Sequence, residues 1–197
     1  MRYDADHKDQ TRKRVLKAAA RAIRADGPFK VGVAQVMSEV GLTHGGFYAH
    51  FASKDDLVAA GVDQMFEDGR RRLERTSADL PPKAGLAAYI DAYLSPLHRD
   101  SRSYGCPLPY LAADAPRLPQ AARGSFAQGV AAMSARLAER LAAIGRVDPA
   151  TDAQSLLAEM VGALALARAD PDPARSDAIL AASRAALKAR FNLETQS

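Results

Sequence analysis

Between Gly41 and Asp56 the chain gathers groups that suit the recognition of a polyanion better than a bond-making reaction. Thr43, His44, Tyr48, His50 and Lys54 all carry hydrogen-bond donors, and Phe47 and Phe51, four residues apart, mark one buried side of a short helix. That spacing leaves His44, Gly45, Tyr48 and Ala49 on the outer side. Gly45 and Gly46 each cost roughly 1 kcal/mol inside a helix relative to Ala, but they let its first turn come close to a groove wall. Tyr48, His50 and Lys54 are donors of the phosphate-binding kind, and Lys54 lies where a helix N-terminus already favours anions.

A second chemistry is that of a thiol. The chain has one cysteine, Cys106, in Tyr104-Gly105-Cys106-Pro107. Pro107 reads as the first residue of a short helix, and a helix N-terminus lowers a thiol pKa. Arg99 and Arg102 are near in sequence. A lone cysteine is also a good small hydrophobe for a core, and both readings stay open.

Enzymatic chemistry finds little support. Four histidines and one cysteine show no metal-ligand spacing. There is no Gly-rich phosphate loop after a strand and no nucleophile elbow. No metal, no cofactor and no catalytic activity are expected.

The elements that must position these groups are helical. Alanine is abundant, strand-type alternation is absent, and 48% of the 197 residues are hydrophobic. A first helix over 8–26 carries Val15, Ala19, Ala22 and Ile23 inward and stops at Gly27-Pro28. A second carries Val33, Val36, Met37 and Val40, with Gly32 as a cap that supplies no side-chain oxygen. After Gly41, Thr43 reads as the N-cap of a third helix, with Leu42 and Phe47 as a hydrophobic staple. Ser53-Lys54-Asp55-Asp56 opens a fourth, and Pro81-Pro82 close the first unit. Asp148-Pro149 opens a later helix by the same capping logic. The expected fold is all-α: a three-helix helix-turn-helix domain over 1–54 and a helical bundle over 55–197, about nine helices in all.

Charge is unevenly placed. The net charge is +4, and residues 1–54 hold ten Lys/Arg against five Asp/Glu, while the rest is slightly acidic. A basic end on a near-neutral body fits a polyanion gripped by one end of the molecule. The N-terminus has no hydrophobic signal core, and the most apolar stretch, 156–167, is short and contains Glu159. The expectation is a cytoplasmic protein without membrane contact.

The run Gly41-Leu42-Thr43-His44-Gly45-Gly46-Phe47-Tyr48-Ala49-His50-Phe51-Ala52-Ser53-Lys54-Asp55-Asp56-Leu57 resembles the signature of the TetR family of transcriptional repressors. The resemblance covers roughly residues 10–60. It implies a homodimer that binds double-stranded operator DNA through two helix-turn-helix units and lets go when a small molecule enters the C-terminal domain. It further implies that Thr43, His44, Gly45 and Gly46 face the major groove, that Tyr48, His50 and Lys54 hold phosphates, and that Gln35 begins the helix abutting the backbone. Two departures stand out: Gly32 where such sequences cap with Thr, and Met37 and Val40 where they place small alanines. A Gly-Cys pair before a short helix is also similar to members of the family that sense electrophiles or oxidants.

In the C-terminal part, Tyr89, Tyr93, Cys106, Tyr110, Phe126, Met133 and Met160 are candidates to line an apolar cavity for a small-molecule inducer, neutral or weakly polar. Filling the core is the competing role for each. Leu157, Val161 and Leu164 on one helix, with Ile179, Ala186 and Leu187 on the last, are candidates for a symmetric four-helix dimer interface. A non-specific DNA-binding protein and an activator remain as rivals to a ligand-released repressor.

Overall fold

The computed structural model describes residues 2–193, apart from the side chains of residues 2–6 and 102; it contains helices and connecting turns. Nine α-helices are found among the described residues: α1 (Arg2–Asp26), α2 (Val33–Glu39), α3 (Lys54–Ser77), α4 (Pro82–Tyr93), α5 (Pro96–Asp100), α6 (Leu108–Leu111), α7 (Gln120–Ala143), α8 (Pro149–Ala169) and α9 (Pro173–Arg190). Short 3₁₀ helices cover His44–Ala49, Arg102–Tyr104 and Ala115–Arg117.

The caps follow side-chain chemistry. The Ser53 hydroxyl accepts from the Asp56 N–H at 3.1 Å, and Asp148 accepts from the Thr151 N–H at 3.2 Å before Pro149. Asp172 caps α9 through the N–H groups of Ala174 and Arg175, so this helix starts well before its apolar stripe. Pro96 begins α5, which Ser95 caps by accepting from the His98 N–H.

The spine is α3, which packs against α1 on one side and against α7 on the other. α7 passes on to α8 and α8 to α9, while α4 fills the space between α3 and α9. The expected division at residues 54 and 55 falls in the first turn of this spine. Apolar burial runs without interruption from Val15, Val36 and Phe47 through Leu57 and Met65 to Leu137, Leu164 and Leu187.

Two glycines set how closely helices cross that spine. A Cβ on Gly61 would stand 2.6 Å from Ile23 Cδ1, so α1 rests directly on the α3 backbone. A Cβ on Gly129 would stand 2.2–2.4 Å from three carbons of the Phe66 ring, including Cγ next to the ring's attachment. That ring also meets Phe126 edge-on, with centroids 5.8 Å apart.

Paired substitutions on α7 separate packing from helix propensity. Gly129→Ala is expected to destabilise the protein by about 1–3 kcal/mol, since the added carbon meets the Phe66 ring at Cγ, which cannot turn away without moving the whole side chain. Gly124→Ala, with nothing within 4 Å of the added carbon, is expected to stabilise by up to about 1 kcal/mol. Thermal melts check both; equal shifts would show that Phe66 yields freely.

Candidate nucleic-acid interface and the loop behind it

The presentation of Thr43–Ala49 begins with α1. The Arg14 guanidinium donates to the Val40 carbonyl at the end of α2, and Arg21 pairs with Glu39. These two contacts strap the short α2 along α1 over buried Val36 and Met37. The turn follows at Gly41, with φ of 74°.

The recognition segment is not the α-helix expected from sequence. His44–Ala49 forms a 3₁₀ helix, with Gly46 N–H donating to the Thr43 carbonyl at 3.1 Å and His50 N–H to the Phe47 carbonyl at 2.9 Å. Thr43 occupies the N-cap position with extended backbone but makes no side-chain cap bond. The physical cause is the Gly45-Gly46 pair, which removes two helix-favouring side chains from a segment too short to nucleate well.

Its two faces nevertheless separate clearly. Phe47 and Phe51 are buried and stacked, with centroids 5.6 Å apart, and Arg12 of α1 covers the Phe51 ring at 4.9 Å. Thr43, His44, Gly45 and Ala49 are exposed, and Tyr48 is 68% exposed with its ring edge-on to both Phe47 and His44. Gly46 is half-buried over the Met37 methyl, while a side chain at Gly45 would meet only open space. Gln35 is exposed on α2, and its side chain lies by Gly32.

His50 is half-buried, and its Nδ1 has no hydrogen-bond partner among the described residues. Burial, with Lys8 and Arg12 nearby, pushes its pKa below the usual histidine range. Lys54 is exposed, and its ammonium donates to the Phe29 carbonyl at 3.2 Å, which holds it at the start of α3.

Behind this surface, arginines from three helices grip the loop 99–106. Arg24, at the end of α1 and 3% exposed, donates through Nε to the Gly105 carbonyl at 2.8 Å. Its other arm reaches the Asp68 carboxylate at 3.0 Å and the Met65 carbonyl at 3.4 Å, both on α3. Arg72 of α3 donates to the Tyr104 carbonyl at 2.7 Å. Arg168 of α8 donates to the carbonyls of Arg99 and His98 and lies 4.2 Å over the Tyr110 ring.

His98 locks the same loop from inside. Its Nε2 accepts the Cys106 N–H at 3.0 Å, so Nδ1 carries the proton and donates to the Tyr93 carbonyl at 2.7 Å. Burial, with Arg72 adding to it, lowers its pKa to about 3.

Cys106 therefore does not behave as the helix-activated thiol that its neighbours in sequence suggest. It is 7% exposed, and burial pushes its pKa above the ordinary value. The helix behind it spans only Leu108–Leu111, which is too short to offset desolvation. Tyr93 is the thiol's side-chain polar neighbour, and the Tyr93 hydroxyl meets no other partner among the described residues. The side chain of Arg102 lies outside the described residues.

The seven cavity candidates do not surround one space. Tyr89, Tyr93 and Met160 are core, packed with their neighbours, and Cys106 joins the two tyrosines near His98. Met133 borders a cleft of about 240 Å³ between α3 and α7, together with Phe66, Gly129 and Arg70. Phe126 is half-buried against Phe66. Tyr110 borders a separate cleft with Arg24 and Arg168.

The interface candidates also divide. Leu157, Leu164 and Leu187 are buried within the protomer and have no surface to offer a second copy. Val161 and Ile179 are half-exposed and Ala186 is exposed. The periodicity of a helix apolar all round does not say which stripe faces its own core; the buried stripe took the leucines.

Sequence reasoning missed Arg14, Arg21, Arg24, Arg72, Arg168 and His98. The first three counted only as part of a basic end, although each is spent on a contact within the chain. Among the described residues no helix is long and apolar enough to cross a membrane, and no group of three or more His, Cys, Asp or Glu is placed to hold a metal ion.

Comparison with known proteins agrees with this geometry over both halves. Residues 15–60 match the family model described as bacterial regulatory proteins, tetR family, and residues 82–187 match the tetracyclin repressor-like C-terminal domain. The uncharacterized HTH-type transcriptional regulator YfiR of Bacillus subtilis is 24% identical over 86 residues, 44% of this chain and 42% of YfiR. The HTH-type transcriptional regulator TtgR of Pseudomonas putida is 26% identical over 105 residues, 52% of this chain and 50% of TtgR. The chain thus spans about half the length of the curated relatives it matches. The crystal structure of the reduced form of E. coli NemR shares the fold, with a TM-score of 0.78 at 23% identity over 91% of this chain and 96% of that one.

The buried histidine has a consequence for stability. His98 stays neutral in the folded state down to about pH 3, but takes up a proton near pH 6.5 once unfolded. The unfolded state therefore binds more protons below pH 6.5, and folding stability falls as pH drops. Between pH 7 and pH 5 this single group is expected to cost about 2 kcal/mol. Melting temperatures at the two pH values, compared between wild type and His98→Gln, check this: the pH-dependent difference should shrink by about that amount.

Proposed function

Since this chain belongs to the tetR family of bacterial regulatory proteins, we propose that it works as a dimeric cytoplasmic repressor whose hold on operator DNA is released from the loop carrying Cys106. The observation that carries this reading is the Arg24 bridge. One guanidinium ties α1, which positions the recognition segment, to the Gly105 carbonyl beside the thiol.

Thr43, His44 and Gly45 are the groups for base edges and the groove wall, and Tyr48 and Lys54 those for phosphates. His50 contributes through its remaining ring nitrogen. In the free protein, burial with Lys8 and Arg12 nearby holds its pKa below the usual histidine range. Gly46 supports close approach from its seat over Met37.

For the dimer, the outward faces of α8 and α9 are the surfaces to pair. Ala158, Gly162, Ala165 and Ala169 form an outward stripe of small residues on α8, beside Val161 and Leu166, the latter 63% exposed. α9 presents Ile179, Ala182, Ala186 and Ala189. Small residues at helical spacing let helices approach closely, and a two-fold packing of both pairs makes a four-helix interface. Such a dimer would space two recognition segments about 34–36 Å apart, one turn of DNA.

Release follows from the fit of the thiol. Cys106 is buried, with Tyr93 beside its sulfur and His98 on its N–H, so an adduct on sulfur must displace neighbouring groups. The loop must open for its thiolate to add across an electrophilic double bond, the proton ending on the neighbouring carbon. Once modified, the loop cannot close, and Arg24 loses the carbonyl that anchors α1. A non-covalent inducer has a different entry in the cleft between α3 and α7, where Phe66 and Met133 supply apolar surface beside Arg70.

The test is a titration of the protein against the intergenic DNA next to its own gene, with and without a maleimide. Sequence-specific binding lost on alkylation, and retained in Cys106→Ser treated alike, is the expected result. Equal loss in Cys106→Ser would remove the thiol from the mechanism. No sequence preference at moderate salt would overturn the repressor reading itself.

The same titration resolves individual contacts. Lys54→Gln is expected to weaken binding to all sequences alike and to reduce the slope of log K against log salt by about 0.9. His44→Ala is expected to narrow the gap between operator and unrelated DNA, at a cost of about 1–3 kcal/mol for the operator.

A further inference from the structure

The crossing of α1 and α3 carries a second concentration of positive charge. Lys17, Arg21 and Arg24 follow one another at i, i+4 and i+7 on α1, and Arg71, Arg72 and Arg75 face them from α3. Together with Tyr104 they enclose a cleft of about 310 Å³. That volume is at the lower end of small-molecule sites.

Asp68 is the carboxylate that lines this cleft, and it is already taken by Arg24 at 3.0 Å and by the Gln64 side-chain amide at 2.9 Å. Arg21 and Arg71 lean on carboxylates to either side, Glu39 and Glu67. Lys17 and Arg75 make no ion pair or hydrogen bond with any described residue. Six cations around one carboxylate are mutually repulsive, and Arg72 lies close enough to lower the pKa of Arg24 further. A surface needing only solubility mixes its charges. A concave cluster with this excess of positive charge focuses field on an anion.

That anion is not the operator. Residues 71–75 lie about 25–31 Å along α3 from Lys54, at a rise of 1.5 Å per residue. The DNA-facing segment is at the other end.

We propose that this cleft is an effector site for a small molecule bearing several negative oxygens, of the diphosphate or clustered-carboxylate kind. Lys17 and Arg75 are its free charges, and Arg21 and Arg72 supply planar donors that suit bidentate oxyanion contacts. The ligand bridges α1 and α3 and so sets the angle at which the N-terminal unit leaves the body. It also competes with the carbonyls of Tyr104 and Gly105 for Arg72 and Arg24. The site is separate from the thiol and from the α3–α7 cleft.

Inorganic pyrophosphate is the probe, added to the full-length protein at constant ionic strength with sodium chloride as the balance. A saturable rise in melting temperature is expected for wild type. In Lys17→Gln/Arg75→Gln, at least ten times more pyrophosphate should be needed for the same rise. Both positions are exposed and unpaired, so folding is retained, and circular dichroism verifies it. No rise in wild type, or an equal rise in the double variant, would overturn the site. In a DNA titration the same probe should change the affinity of wild type by about fivefold or more and leave the double variant's response to general phosphate competition only. Binding without that difference would overturn the effector role. The melting experiment contains no DNA, so failure of this site and failure of operator recognition give different results.

Discussion

A guanidinium buried at the end of α1 holds the two halves of this molecule in one geometry. Taking Arg24 out of water costs several kcal/mol by itself. The cost is met because its arms find the Gly105 carbonyl, the Asp68 carboxylate and the Met65 carbonyl at once. Those three acceptors belong to two different elements, α3 and the loop behind it. None of the bonds survives a rotation of α1 alone, so the position of the N-terminal unit and the conformation of the loop are a single variable. The close seat of Ile23 against Gly61 adds a steric limit to the same crossing.

The loop in turn is stiff because its backbone groups are spoken for from outside. Carbonyls 98, 99, 104 and 105 accept from arginines, and the N–H of Cys106 goes to a neutral imidazole. A loop with this many external partners does not drift; it is docked or it is open. Two-state behaviour of that sort is what a switch requires, because a packed element passes on a small perturbation as a change of state rather than as a graded deformation. Burial of Cys106 fits the same logic. A thiol that reacted freely while closed would be consumed without opening anything.

Much of the fold was legible from local patterns. Ser53 and Asp148 announce their helices because a cap is a contact within three residues, and the stripe ending in Phe47 and Phe51 marks the buried side of the recognition segment. The segment's 3₁₀ winding was not legible from its apolar stripe, although Gly45-Gly46, costly inside an α-helix, carried the signal. Three of the six interface candidates, Leu157, Leu164 and Leu187, lie on a stripe that the protomer buries itself, since α8 is apolar on more than one side and the paths of α9 and α7 decide which leucines are used up inside. Arg24 was invisible as a bridge because Gly105 lies 81 residues away. Among ten basic residues in one quarter of the chain, charge counting cannot tell a DNA contact from a tether.

Magnitudes decide whether one tether can matter. Relief of repression by a coupling of about 1–3 kcal/mol changes DNA affinity by about 5–150-fold. A hydrogen bond to a charged group is worth about 1.5–3 kcal/mol net. Opening the loop removes the Gly105 carbonyl from Arg24 and leaves a buried guanidinium short of one acceptor, which adds desolvation cost to the lost bond. The Arg24–Gly105 contact alone is thus of the size that regulation needs, without any wider rearrangement of the core. By the same arithmetic, a surface pair such as Lys13 with Asp9, both well exposed, contributes too little to transmit anything. In the proposed mechanism the coupling runs through the buried charge, where a single bond is expensive enough to lose.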